Sequence, residues 1–184
     1  LEEATRKMGE AEQRRKKAAE AEAKKKEAEA PLAVGVLAPN WILNNSTGQQ
    51  RSLADYKGKV VVMNFWSSWA GPCMAAMPRI QEVHERYKGR PVAVLGMNIF
   101  ESEPPSKRMD MMKNRGFEFE QIVNADIIKD AYRVAGVPMV YVIDQDGKVL
   151  DVVLGYGDKL KESLIEIIDK ALAAGAKEAP ATGG

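Results

Sequence analysis

The stretch WSSWAGPCMAAMP, from Trp66 to Pro78, decides the fold of this 184-residue chain. It continues the apolar run VVVMNFW, which is typical of a strand covered on both faces. Apolar side chains then recur at helical spacing over residues 73–88. Pro72 suits the first position of a helix, where the amide hydrogen that proline lacks would have no partner. The stretch is therefore predicted to be a loop that joins a buried strand to a helix.

Residue 70 or 71 falls at the N-cap of this helix, where unpaired amide hydrogens and the helix dipole favour a polar or anionic group. Ala70 is a poor cap. A cysteine there would be different, because the same amides would stabilise its thiolate and make it an exposed nucleophile. Positions 70 and 73 are three apart on a helical turn, so their Cα atoms are expected about 5 to 6 Å apart, within disulfide range. Cys73 thus resembles one half of a dithiol site.

Strand-like and helix-like segments alternate around this stretch, from about residue 36 to residue 174. One hairpin is predicted where WIL and RSL flank NNSTGQQ, and another where the turn QDGK joins MVYVID to VLDVVLG. PVAVLGMNI and FEFEQI are further predicted strands, and helices are predicted near residues 105–115, 125–134 and 158–173. The fold class is therefore α/β, with a central mixed β-sheet flanked by helices.

The composition changes at Pro31, which marks a boundary between two parts of the chain. Residues 1–30 are almost entirely Ala, Glu, Lys and Arg, which predicts a charged helical extension or stalk. Its candidate coiled-coil seam begins apolar and then turns polar, so self-association through this helix is the alternative. Residues 31–174 are predicted to form the folded domain, and the small, polar residues 175–184 a flexible tail.

The composition also excludes several classes of function. Because 27 basic residues nearly balance 26 acidic ones, no binding to nucleic acid or to a membrane surface is expected. The apolar runs are well short of the roughly 20 residues that a membrane helix needs. A single cysteine rules out a disulfide framework and a cysteine-rich metal site, and no metal or other cofactor is expected. We interpret the methionines as core filling and His84 as structural.

Several separate motifs resemble the thioredoxin superfamily, and more narrowly its extracytoplasmic TlpA/ResA group of thiol-disulfide oxidoreductases. They are SLADYKGKVVVMNFW, NFWSSWAGPCMAAMP and VAGVPMVYVIDQDGKV. The resemblance implies a thioredoxin-like fold over roughly residues 36–174. That family's motif runs Trp-Cys-x-x-Cys, so Ala70 takes the position of the nucleophilic cysteine and Cys73 that of the resolving cysteine. Asn64 stands where thioredoxins proper carry a buried aspartate, which favours the TlpA/ResA branch.

The resemblance also implies which residues surround the thiol. The substrate-binding residues that it implies are Trp69, Gly71, Pro72, Val137 and Pro138. Pro138 matches the cis-proline of the family, which lies against the dithiol. Glu101 takes the place of an acidic residue that would manage protons during disulfide exchange. The alternative for Glu101 is an ordinary surface carboxylate before the turn EPPS.

Two classes of function follow from Ala70. In the first, the parent protein has cysteine at this position, and the chain is an engineered, inactive variant of a protein-disulfide reductase. In the second, a naturally degenerate thioredoxin fold has lost catalysis and keeps its groove as a binding or scaffold module. The first is favoured, because the motif residues around Ala70 are all retained. A peroxidase of the peroxiredoxin type is disfavoured, because its isolated cysteine occurs in a different local motif.

Partners and location are implied by the resemblance alone. The implied partners are cysteine-containing protein substrates, such as apocytochromes or copper-site proteins, and an upstream redox partner. The implied location is periplasmic or lumenal, either free or tethered by a membrane anchor in the full-length form. The chain begins at Leu1 without an initiator methionine or a signal-peptide pattern, so we expect it to be a processed or trimmed product.

Overall fold

A computed structural model describes residues 2–178 of the chain, which divide into two units between Pro31 and Leu32. The first unit consists of one long helix, α1 (Glu2–Glu29). Its described side chains are exposed, and ion pairs one turn apart join Lys7 to Glu3 and Lys25 to Glu29. Such pairs support a solvated helix that has no apolar face to bury.

A five-stranded mixed sheet is the centre of the second unit, with strand order β5-β4-β3-β6-β7. β3 pairs in parallel with β4 and antiparallel with β6, while β5 extends the parallel side and β7 the antiparallel side. The strands are β3 (Val60–Trp66), β4 (Val92–Asn98), β5 (Glu120–Ile122), β6 (Met139–Ile143) and β7 (Val149–Leu154). A separate hairpin of β1 (Ile42–Asn44) and β2 (Gln50–Ser52) precedes them.

Both faces of this sheet are covered, so alternate residues of β3 enter two different cores. Val62 and Trp66 face the core that contains α2 (Gly71–Arg86) and α5 (Leu160–Glu178), and α3 (Pro105–Asn114) adds Met112 to it. Met63 and Phe65 face the other core, to which α4 (Asp126–Lys129) adds Ile128. The predicted thioredoxin-like α/β fold, with a mixed sheet flanked by helices, is confirmed.

Two helices differ in length from the sequence-based prediction. α4 ends at Lys129 rather than near residue 134, and Arg133 has a φ of 52°, which a right-handed helix does not accommodate. α5 continues to Glu178, four residues into the predicted flexible tail. Gln145 supports the C-terminal half of α5, because its Nε2 donates to the Ala171 carbonyl at 3.1 Å. Residues 179–184 of the predicted tail lie outside the described residues.

Glu120 on β5 fastens the β1–β2 hairpin to the edge of the sheet. Its carboxylate accepts hydrogen bonds from the Tyr56 hydroxyl at 2.6 Å, from Arg51 Nε at 2.8 Å and from Asn45 Nδ2 at 2.8 Å. Burial alone would raise the pKa of Glu120, but the bonds from these three donors outweigh burial and lower the pKa below its ordinary value. The ionised carboxylate therefore stabilises the attachment of the hairpin.

We expect Glu120→Gln to reduce the free energy of unfolding by about 2 kcal/mol near pH 7, because charge-assisted hydrogen bonds are lost. A lowered folded-state pKa stabilises the fold above the unfolded-state pKa, and this contribution disappears as the pH falls through the folded-state value. The difference between the two chains should therefore shrink near pH 3. Urea unfolding at both pH values measures it, with Glu118→Gln as control, since the ion pair of Glu118 with Lys88 is exposed. Equal losses at both pH values would contradict the ionic role.

Candidate active site

The N-terminus of α2 forms the centre of the candidate site. Ala70 is the N-cap residue, with extended backbone and no side-chain cap hydrogen bond. Its carbonyl accepts the amide hydrogen of Met74 at 3.1 Å, which begins the helical ladder. The sequence predicted Pro72 at the first helical position. The helix begins at Gly71, so Pro72 lies at the second. The cap is thus a methyl group that is only 7% exposed, so position 70 is buried rather than exposed as the sequence predicted, and the helix N-terminus has no polar side chain.

Cys73 follows on the first turn of α2, and its side chain is fully buried. Burial raises the pKa of the Cys73 thiol, and the negative charge of Glu101 adds to the rise, while a backbone hydrogen bond from Ser67 opposes it. A thiol in this environment stays protonated near neutral pH and reacts slowly. Cys73 therefore lacks the exposure and the acidity of an attacking nucleophile.

Glu101 reaches the loop before α2 from the loop after β4. Oε1 accepts the Ser68 amide hydrogen at 2.6 Å and a hydrogen of Asn98 Nδ2 at 2.9 Å, and Oε2 accepts the Ser68 hydroxyl at 2.8 Å. Arg108 Nε lies 3.6 Å from Oε1. The Glu101 side chain is only 9% exposed, so the alternative of an ordinary surface carboxylate is wrong. The site therefore includes a buried carboxylate whose two oxygens both have donors.

Trp69 and Pro138 lie at the same end of the sheet. Trp69 is 68% exposed, and its indole Nε1 donates to the Phe100 carbonyl at 2.7 Å. The Val137–Pro138 peptide bond is cis, and the half-buried Val137 packs against both cores. Because Met139 pairs with Phe65, Pro138 lies beside the end of β3, where the loop to α2 begins. An exposed indole and a cis-proline thus lie at the sheet end from which α2 starts.

Three polar residues of this site were not predicted from the sequence. Ser68, Asn98 and Arg108 all contact Glu101, and Arg108 Nε also donates to Asn98 Oδ1 at 2.9 Å. Asn98 gave a weak signal, because a polar residue that ends a buried strand often has a specific partner. Arg108 gave none, since the segment around it is largely polar and solvent-facing.

Trp66 supports the loop from below. Its indole is fully buried, and Nε1 donates to Gln121 Oε1 at 3.1 Å. Gln121 is itself buried, and its Nε2 donates to the Phe119 carbonyl at 3.2 Å. Its side chain lies directly against Gly96 on the neighbouring strand. The residue that precedes the active-site loop is thus held by a polar contact between β3 and β5, across the backbone of Gly96.

The profile of the AhpC/TSA family matches residues 34–152, which is more than half of the chain. The chain belongs to the AhpC/TSA family of the thioredoxin superfamily. This family member is similar to the thiol-disulfide oxidoreductase ResA of Geobacillus kaustophilus, with 33% identity over 125 residues, 67% of this chain and 71% of the relative. It is also similar to the ResA of Bacillus subtilis, with 33% identity over 135 residues and 73% of each chain.

Solved structures agree with this assignment. A DsbE-type thiol:disulfide interchange protein from Chlorobium tepidum superposes with a TM-score of 0.70 and 31% identity, over 77% of this chain and 99% of that one. A second thiol:disulfide interchange protein of the same organism superposes with a TM-score of 0.65 and 25% identity, over 77% and 99% of the two chains. The predicted TlpA/ResA-like membership is confirmed, and these relatives are named for thiol-disulfide chemistry.

This AhpC/TSA family member has further methionines and His84 as side chains with the chemistry of metal ligands. Within residues 2–178, no group of three or more His, Cys, Asp or Glu side chains could hold a metal ion. Met77, Met97 and Met139 are buried in the cores. Burial lowers the pKa of His84, as does the positive charge of Lys88.

No helix in the described part of the chain is both long and apolar enough to cross a membrane.

Proposed function

We propose that this chain carries the site of a ResA/DsbE-type protein-disulfide reductase in a form that Ala70 makes inactive. The observation that carries the proposal is the position of Ala70 as the N-cap of α2, one turn from the buried thiol of Cys73. A helix N-terminus is where a cysteine gains acidity, and a buried neighbour three residues later is where a resolving thiol belongs. The exposed Trp69 in the loop before α2 supports the same function.

The proposed reaction moves two electrons from the protein to a substrate disulfide. A thiolate at position 70 would attack one substrate sulfur, breaking the S–S bond and forming a mixed disulfide, while the other substrate sulfur leaves as a thiolate and takes up a proton. Cys73 would then lose its proton, attack the mixed disulfide and release the second substrate thiol. The substrate ends as a dithiol, and positions 70 and 73 end as a disulfide. Alanine has no sulfur, so the chain as written cannot begin this sequence.

Other residues have supporting roles in the proposal. Glu101 is the carboxylate whose charge acts on the Cys73 thiol, and it would receive the proton that Cys73 releases. An extended substrate segment would lie along the rim formed by Trp69, Gly71, Pro72, Val137 and Pro138. Trp69 and Pro72 are exposed at this rim, whereas Val137 is half-buried and Pro138 is buried, and an exposed aromatic side chain suits peptide contact.

The proposed substrates are cysteine pairs in partner proteins, and a separate redox partner would return the site to the dithiol state. The TlpA/ResA resemblance supports an extracytoplasmic location, free or tethered. Exposed side chains along α1 support a spacer role for residues 1–30, with self-association as the alternative. A non-catalytic binding module is the second candidate function, and the observation that favours it is the apolar cap itself, Ala70.

Mild oxidation of the Ala70→Cys chain tests the proposal. Both thiols should disappear together, with a mass loss of two hydrogens inside one monomer, because positions on one helical turn are within disulfide range. The Ala70→Ser chain is the matched control and should keep its single Cys73 thiol. Two thiols that stay free in Ala70→Cys, or that couple only between chains, would contradict a dithiol site and leave the binding module.

A further inference from the structure

Arg108 is a buried cation beside the candidate site. Its side chain is 7% exposed, whereas that of the adjacent Lys107 is 81% exposed. A buried guanidinium is destabilising unless charged and polar partners surround it. Its partners therefore indicate why α3 turns this residue inward.

Those partners lead to Glu101 by two routes. Arg108 Nε lies 3.6 Å from Glu101 Oε1 and donates to Asn98 Oδ1 at 2.9 Å, and Asn98 Nδ2 donates to the same Glu101 oxygen at 2.9 Å. Arg108 Nη1 also donates to the Glu103 carbonyl. The guanidinium thus contacts the carboxylate directly, contacts it again through Asn98, and fixes the loop that carries it.

Glu101 passes this arrangement on to the thiol positions. Both of its oxygens bind Ser68, two residues before Ala70, and its charge acts on Cys73. If Arg108 were removed, Glu101 would lose its cationic partner and Asn98 Oδ1 would lose its donor, so the carboxylate would be free to turn. A carboxylate that turns toward the thiol positions makes a thiolate there less stable.

We propose that Arg108 is a positioning residue that orients Glu101, and so sets the reactivity of a thiol at position 70. The inference rests on the proposed dithiol function, because it concerns a cysteine at that position. Arg108 takes no part in the proposed thiol-disulfide exchange itself and acts through Glu101.

A single-thiol chain, Ala70→Cys with Cys73→Ser, isolates this effect. The rate at which iodoacetamide alkylates this thiol is measured across pH, because that rate follows the fraction of thiolate. Adding Arg108→Met should slow alkylation near pH 7 by about three- to tenfold, as expected for a change of up to about one unit in thiol pKa. Arg108→Lys keeps the charge without the planar fork and should give a smaller slowing. Lys107→Met removes an exposed cation from the same helix and should leave the alkylation rate unchanged.

A Glu101→Gln background decides whether Arg108 acts through Glu101. The effect of Arg108→Met should fall to less than half in that background, as coupled residues show in double-mutant cycles. Equal slowing in both backgrounds would overturn the proposal, because Arg108 would then act by its own charge, and so would no slowing in either. Thermal unfolding identifies variants that fail to fold, and Arg108→Lys then provides the same comparison. Alkylation needs no substrate disulfide, so failure of Ala70→Cys to reduce a disulfide would defeat the proposed function alone.

Discussion

We expect Ala70→Cys to raise turnover of a protein disulfide such as insulin at least about a thousandfold, the size of effect typical of a catalytic nucleophile. The chain as written has one thiol, Cys73, which is fully buried and whose pKa is raised by burial. Such a thiol neither reaches a substrate disulfide nor presents a thiolate near neutral pH. Without a nucleophile at position 70, we therefore expect no rapid formation of a mixed disulfide.

The N-cap of α2 explains why one substitution should suffice. The sulfur of a cysteine there would accept hydrogen bonds from the helix amides that Ala70 leaves without a side-chain acceptor. The helix dipole would also favour its thiolate. Cys73 would stay protonated until the mixed disulfide brings a sulfur within its reach. The two thiols would therefore differ in acidity in the order that attack followed by resolution requires.

Two controls separate sulfur chemistry from helix capping. Ala70→Ser should stabilise the fold by about 1 kcal/mol as a better cap, yet show no turnover. Ala70→Cys combined with Cys73→Ser should bind substrate as a lasting mixed disulfide and stop after one encounter. If Ala70→Cys is no faster than Ala70→Ser, the groove has lost its chemistry, and the binding module becomes the better account of the chain.

Gly96→Ala is expected to lower the free energy of unfolding by about 2 to 3 kcal/mol, the cost of overpacking together with a strained polar contact. A Cβ at this position would lie 2.2 Å from Gln121 Oε1 and 2.7 Å from its Cδ. That oxygen accepts the indole hydrogen of the buried Trp66. If Gln121 moved aside, a buried N–H would lose its acceptor, so the clash cannot be relieved cheaply.

Denaturant unfolding measures this loss, and Gly157→Ala is the matched control. A Cβ at Gly157 meets no atom within 4 Å, and its φ lies outside the left-handed range. The control should therefore change stability by no more than about 0.5 kcal/mol. Equal stability changes in Gly96→Ala and Gly157→Ala would show that Gln121 relaxes freely and that Trp66 is not fixed by it.

Local sequence patterns predicted the fold where the local signal was strong. The apolar run of β3, Pro72 after the loop and the Asp-Gly turn between β6 and β7 each fix a local structure by themselves. The lengths of α4 and α5 depend on other causes. The positive φ of Arg133 is incompatible with a helix that reaches residue 134, and the hydrogen bond from Gln145 to Ala171 supports the C-terminal half of α5. Neither cause is visible in periodicity.

The site was predictable to the extent that it lies in contiguous motifs. Ala70, Cys73 and Pro138 stand in such motifs: Ala70 is the N-cap of α2, Cys73 is buried on its first turn, and the bond before Pro138 is cis. The contact between Ser68 and Glu101 spans 33 residues and exists because β3 and β4 pair in parallel, which brings their following loops side by side. The pairing of Arg108 with Glu101 needs a further helix to fold over this edge, which no local spacing encodes.

The reduction potential of the Ala70→Cys chain tests the central claim most directly, namely that position 70 and Cys73 form one dithiol centre. The chain is equilibrated with buffers of known ratio of reduced to oxidised dithiothreitol, and its free thiols are counted in each buffer. We expect one cooperative two-electron transition, in which the ratio of the dithiol to the disulfide form of the chain changes tenfold for about 30 mV. Both thiols should vanish together within the monomer. Thiols that titrate independently, or that oxidise only by joining two chains, would contradict the claim.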